Sequence, residues 1–165
     1  MTSRRVGSRS HGADAMARAG NVCRRARRAQ AAGRACAMSS GTTIVKAYLD
    51  AMEARDLAGA RARLAPGFAM TFPGGARFAN LEELIAWAKP RYRWVKKRYD
   101  RFDEVPAATP GGDAVVYCYG TLYGEWPDGD AFEGIRFIDR FTIRGDKLAD
   151  QNVWNDIAEV QAQAG

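Results

Sequence analysis

Histidine is almost missing from these 165 residues: the only one is His11. It lies in an Arg-rich N-terminal stretch, so the rest of the chain cannot carry Ser-His-Asp or Cys-His catalysis or a His-ligated metal. Cysteine is scarce too. Cys23 and Cys36 share that stretch and Cys118 falls in a candidate strand, which gives no disulfide framework or metal-ligand spacing and predicts a reducing, cytoplasmic setting. No apolar run is long enough for a signal-peptide core or a membrane span, so no membrane partner is expected. Neither a metal nor an organic cofactor is expected.

Basic charge is lacking where a domain would use it. The formal charge is +6, yet residues 1–38 hold nine Arg against one acid, Asp14, a net +8 that leaves −2 for the remainder. A nucleic-acid partner is therefore not expected for the domain itself. Residues 1–38 read as a disordered tail and 39–165 as one domain with a core of its own. Three readings of the tail stay open: untranslated sequence ahead of a start at Met38, an organellar transit peptide, or a basic arm for nucleic acid or anionic lipid. The first is favoured by Met38-Ser39-Ser40-Gly41, which stands just before the first periodic helix.

Along the domain, Val45, Tyr48, Leu49 and Met52 fall at helical spacing and predict a helix over 42–55. A second short helix starts at Asp56-Leu57 and ends before Pro66-Gly67. Phe68, Met70 and Phe72 alternate as a half-buried strand up to the turn Pro73-Gly74-Gly75. Asn80 and Glu83 open a third helix, ended near Pro90. Strands then follow at 99–105, 114–126, around Asp139, and 148–157, joined by Gly-containing turns. Helices first and four antiparallel strands last is an α+β pattern.

Within Ile135 to Ile143, a period of two places Asp139 in one row with Ile135, Phe137, Phe141 and Ile143. A carboxylate in an apolar row costs several kcal/mol unless it is paired, hydrogen-bonded or protonated. Asp139 is thus either a functional group or a buried acid satisfied by a backbone N–H or by an Arg across the sheet. In the long strand, Val116, Cys118, Gly120, Leu122 and Gly124 form a small face assigned to the inside of a curved sheet. Tyr117, Tyr119 and Tyr123 form the outer face and, beside Ile138, predict either a sheet-to-sheet homodimer patch or a solvated strand of ordinary β-formers.

The stretches Tyr48-Leu49-Asp50-Ala51-Met52 through Arg55-Asp56-Leu57, Phe68 to Gly74, Ile138 to Ile143, Gly145 to Leu148 and Val153-Trp154 together resemble the nuclear transport factor 2-like superfamily. The likeness, to its SnoaL-like polyketide cyclase and ketosteroid isomerase branch, covers about residues 42–160. It implies a curved, mostly antiparallel sheet wrapped around N-terminal helices with a central, conical pocket. It also implies that Tyr48 and a protonated Asp139 together donate to a substrate oxygen. The isomerase base maps onto Phe72, the acid that related enzymes place on the last strand maps onto Asn152, and a histidine common in the long strand maps onto Leu122.

Strand parity groups Asp150, Asn152 and Trp154 on one face of the last strand, and this face is taken as the inner one. The expected pocket for a small apolar ligand is then lined by Met52, Met70, Phe72, Phe137, Phe141, Trp154 and Asp150, with Trp87 a further candidate; the alternative is that these aromatics simply fill the core. Tyr48, Asp139 and Asn152 are its polar, catalytic groups. Three functions follow as expectations: a cofactor-independent isomerase, cyclase or dehydratase acting on a carbonyl compound by proton transfer, a non-catalytic binding or dimerisation module, or an accessory protein recruited by its tail.

Overall fold

The structure, a computed structural model, describes residues 40–164; the three readings of the Arg-rich tail fall outside them. Helix α1, Gly41–Glu53, begins where Ser40 Oγ accepts the N–H of Thr43 at 3.2 Å. Its next free N–H groups, on Gly41 and Thr42, donate to the Glu104 carboxylate at 3.0 Å each. Ile44, Val45, Tyr48 and Leu49 form its buried face. The helix ends with Arg55 in the left-handed region, φ 59°, its N–H reaching Met52 O while that of Asp56 reaches Ala51 O. This is a Schellman closure with an arginine where glycine is preferred. Helix α2, Leu57–Arg61, follows directly, capped by Asp56.

Strand β1, Leu64–Phe72, starts earlier than the proline and glycine suggest. Pro66 and Gly67 fall in the stretch where pairing slips between Leu64 and Ala69, a bulge that needs no ladder N–H from proline. A Pro73–Gly75 turn leads to β2, Ala76–Phe78, and helix α3, Leu81–Ala88, starts on the Asn80 side chain as expected. Strand β3, Trp94–Val105, is longer than the alternation indicated. Its hidden half has Val95, Lys97 and Tyr99 on the half-buried side, so a lysine at an inward position masked the period. Then come β4, Ala114–Glu125, β5, Ala131–Arg144, and β6, Lys147–Asn155. The last strand stops short of Ile157, which opens helix α4, Ile157–Ala164.

The six strands form one sheet in the order β2-β1-β6-β5-β4-β3, antiparallel except where β1 lies parallel to β6. The expected α+β fold, a curved, unclosed and mostly antiparallel sheet with helices at the N-terminus, is what forms. Bulges bend it. One lies between Tyr99 and Arg101 on β3, another faces Tyr123 on β5, and a third puts Ala149 of β6 out of pairing between Leu148 and Asp150. Gly120 sits where β3 and β4 press together: a Cβ there would lie 2.0 Å from the Arg98 carbonyl oxygen. On β4 the Val116-to-Gly124 face is buried and the tyrosine face points outward, half-covered.

The third bulge overturns one expectation. Leu148 points inward, but the unpaired Ala149 shifts the parity, so Gln151 and Val153 face the core while Asp150, Asn152 and Trp154 face away from it. Among the described residues no helix is long and apolar enough to cross a membrane.

Glu104 links β3 to the positive end of α1. Burial pushes its carboxyl up, but the N–H groups of Thr42 and Gly41 and the Thr42 hydroxyl outweigh this and hold it below the ordinary value. A depressed pKa adds stability that is present above the unfolded value and disappears as pH falls through the folded one. Glu104→Gln should therefore cost about 0.5–1 kcal/mol near neutral pH, with wild-type and variant melting curves converging toward pH 3. A gap that persists at pH 3 would rule out the charge as its source.

Candidate functional site

A cavity of about 490 Å³ opens between the inner face of the sheet and helices α1, α3 and α4. Its walls are apolar because these are the core-facing stripes of each element. Met52 comes from α1, Phe72 from β1 and Trp87 from α3, and Phe72, Phe78 and Trp87 pack with ring centroids 5.4–5.9 Å apart. Phe137 stands edge-on to Tyr99 at 5.9 Å on the sheet side.

The floor is polar. Asp139, with no solvent exposure, receives the Lys97 ammonium on Oδ2 and the Gln151 amide N–H at 3.2 Å on the same oxygen. A carboxylate engaged by an ammonium accepts, so the Gln151 nitrogen faces it and leaves Oε1 for the phenol of Tyr48, which donates at 3.2 Å. Tyr48 also lies 3.8 Å from the Met70 sulfur. Oδ1 of Asp139 is buried with no partner among the described residues. Lys97 reaches this acid from β3, two strands away, and its ammonium lies 4.3 Å from the centre of the Phe137 ring. Its side chain remains 21% exposed, so it is the floor's cationic donor within reach of a ligand.

Burial, and then the Asp139 charge, raise the Tyr48 phenol above its usual range. Burial also raises Tyr99, and the Asp139 charge adds to that rise. The Cys118 thiol is pushed up to about 12, first by burial and then by Asp139. At neutral pH these groups keep their protons and serve neither as bases nor as nucleophiles.

Six of the residues expected at the pocket line it: Tyr48, Met52, Phe72, Trp87, Phe137 and Asp139. Met70 and Phe141 lie beneath in the closed core, Phe141 edge-on to Tyr48 at 6.1 Å. Asn152, Asp150 and Trp154 are on the far side of the sheet, where Asn152 donates to Asp150 and Arg140 pairs with it. The expected joint donation by Tyr48 and a protonated Asp139 is not the arrangement present. Asp139 accepts, and the Tyr48 proton is spent on Gln151.

Lys97 and Gln151 were missed in the sequence. The parity of Val95 and Tyr99 would have found the first; an unpaired Ala149 hid the second. Among the described residues no group of His, Cys, Asp and Glu could hold a metal ion.

The sequence profile of the SnoaL-like domain family matches residues 45–151. No curated protein matches the chain in sequence. Among solved structures, an NTF2-like protein of unknown function from Burkholderia pseudomallei is similar at TM-score 0.63 and 21% identity, over 76% of this chain and 97% of that one. TerC, co-crystallised with polyporic acid, is similar at TM-score 0.60 and 16% identity, over 75% and 97%. A candidate polyketide cyclase from Xanthomonas campestris pv. campestris follows at 0.56 and 18%, over 75% and 96%.

Removing Asp139 strands a partly buried ammonium, whereas removing both charges leaves an apolar contact. Asp139→Leu should cost about 2–4 kcal/mol, toward the lower end because Lys97 can turn to the opening. Adding Lys97→Met should recover most of that loss in denaturant melts. Simple additivity of the two changes would show that the pair is not coupled.

Proposed function

The chain belongs to the SnoaL-like domain family, and from that premise we propose that it is a cytoplasmic protein that binds a small, largely apolar carbonyl compound and moves a proton on it. The observation that carries this is the unpartnered Oδ1 of a fully buried Asp139, beside an ammonium, at the floor of an apolar cavity. A carbonyl oxygen set against Lys97 would be polarised, and the charge of the developing enolate would rest on the ammonium. Oδ1 of Asp139 would accept the proton from the adjacent carbon and return it at another, giving isomerisation or, with an internal electrophile, cyclisation. Gln151 and Tyr48 act as positioning residues that hold the other carboxylate oxygen, and Gln151 takes the place expected for Asn152.

Proteins of the same fold named as candidate polyketide cyclases, and one crystallised with polyporic acid, support an organic ligand of this kind. A non-catalytic binding role is the second reading. It is favoured by Phe72, which occupies the cavity wall where the resemblance puts a base.

The outer face supports a homodimer. Tyr119, Ile138 and Trp154 stand side by side on β4, β5 and β6, with Ile138 38% and Trp154 51% exposed. The parity shift on β6 that removes Trp154 from the pocket adds it to this row.

The catalytic reading is checked with 2-naphthol, which mimics an enolate, and with 2-tetralone, an enolisable ketone. Naphthol should quench or shift on binding, and Lys97→Met should weaken it at least about tenfold. Deuterium should enter 2-tetralone next to its carbonyl faster than in buffer, and Asp139→Asn should abolish that gain. Naphthol binding with exchange no faster than in buffer would leave the binding role and sink the catalytic one. For assembly, the chain should elute as a dimer at micromolar concentration, and Tyr119→Glu should shift it toward monomer. A wild-type monomer would end the dimer proposal.

A further inference from the structure

The ionisable groups lining the cavity do not balance: two carboxylates, Glu53 and Asp139, face four cations, Arg55, Arg91, Lys96 and Lys97. Lys97 is taken by Asp139 and Lys96 pairs with Glu53 at 3.1 Å. Arg55 and Arg91 pair with no carboxylate among the described residues, although seven other described arginines do. Both lie in exposed parts of the lining, at the opening.

Each is also held. Arg91 lies over Trp87, its guanidinium carbon 3.8 Å from the ring centre, a contact that restrains the group and uses none of its N–H donors. Arg55 is the one non-glycine residue with positive φ among the described residues, in a closure whose hydrogen bonds glycine would satisfy with less strain. Strain of this kind survives where the side chain has a use. Tyr92 lines the same cavity: burial raises its phenol, and the charges of Arg55 and Arg91 both oppose that rise.

We propose that Arg55 and Arg91 form an anion clamp at the cavity opening, and that the ligand is an aromatic or alicyclic carboxylic acid. Its carboxylate lies between the two guanidiniums, its ring against Trp87 and Phe72, and its carbonyl or hydroxyl oxygen at Lys97. The inference rests on the reading of the cavity as a small-molecule site, and adds which end of the ligand faces out. Paired guanidinium N–H donors match the two oxygens of a carboxylate, and a partly dry cavity strengthens the attraction.

The test compares 6-hydroxy-2-naphthoate with 2-naphthol, which share ring and hydroxyl and differ by the carboxylate. With the full chain at low salt, calorimetric titration should show the naphthoate binding at least about tenfold tighter. That advantage should shrink to about threefold or less in Arg55→Gly, in Arg91→Gln, or in 1 M salt. Arg55→Gly should at the same time melt no lower than wild type, and about 2 °C higher if the strain is relieved, which separates lost recognition from lost structure. Equal affinity for the two probes, with naphthol binding still dependent on Lys97, would overturn the clamp and leave the cavity reading standing. An advantage unchanged in both arginine variants would overturn it too. Binding of neither probe would overturn both.

Discussion

Everything at the centre of this domain is arranged around one buried carboxylate. Asp139 has no contact with solvent, and an ionised acid in that position is tolerated only where charge and donors reach it. Lys97 of β3, Gln151 of β6 and, through Gln151, Tyr48 of α1 supply them. Four elements, α1, β3, β5 and β6, are thus tied to a single point. The compensation is incomplete, since Oδ1 is left open. An interaction kept for stability alone would be better replaced by packed apolar groups, so a half-satisfied acid at the base of a cavity fits a site that awaits a ligand.

Sheet curvature makes that arrangement possible. A lysine on β3 can reach an acid on β5 only if the strand between them is drawn in and carries no bulk at the crossing. Gly120, pressed against the backbone of β3, meets the second condition. The bulge in β6 has an equal effect on the other side, turning Gln151 toward the acid and Trp154 toward solvent. One unpaired residue therefore feeds two surfaces at once, the polar floor of the cavity and the aromatic row on the outer face.

Polarity is graded along the cavity. Aromatic walls separate a floor whose charges cancel internally from an opening whose arginines find no carboxylate among the described residues. Such a layout favours a ligand that is apolar in the middle and polar at both ends, because each end then replaces its lost hydration with fixed donors or acceptors. The neutral phenols and thiol around the floor exclude water without competing for the proton at Asp139.

Much of this was readable from the chain. Apolar spacing located α1 and its buried Tyr48, the Asn80 cap located α3, and strict alternation around Asp139 identified the acid and its strand, because helices and regular strands write their exposed and buried sides at periods of 3.6 and 2. Periods fail where the backbone breaks them or where a polar residue takes an inward place. Ala149 reverses the faces of β6, so Asn152, Asp150 and Trp154 were assigned inward and Gln151 was overlooked. Lys97 interrupts the alternation of β3, so half that strand and the partner of Asp139 were hidden together. That a charge lay buried at Asp139 was a local fact of the sequence. Which residue answers that charge is a long-range one, decided only when β3, β5 and β6 are bent into one sheet, since hydrogen bonding and Coulomb attraction act over a few ångströms of space and leave no spacing in the chain.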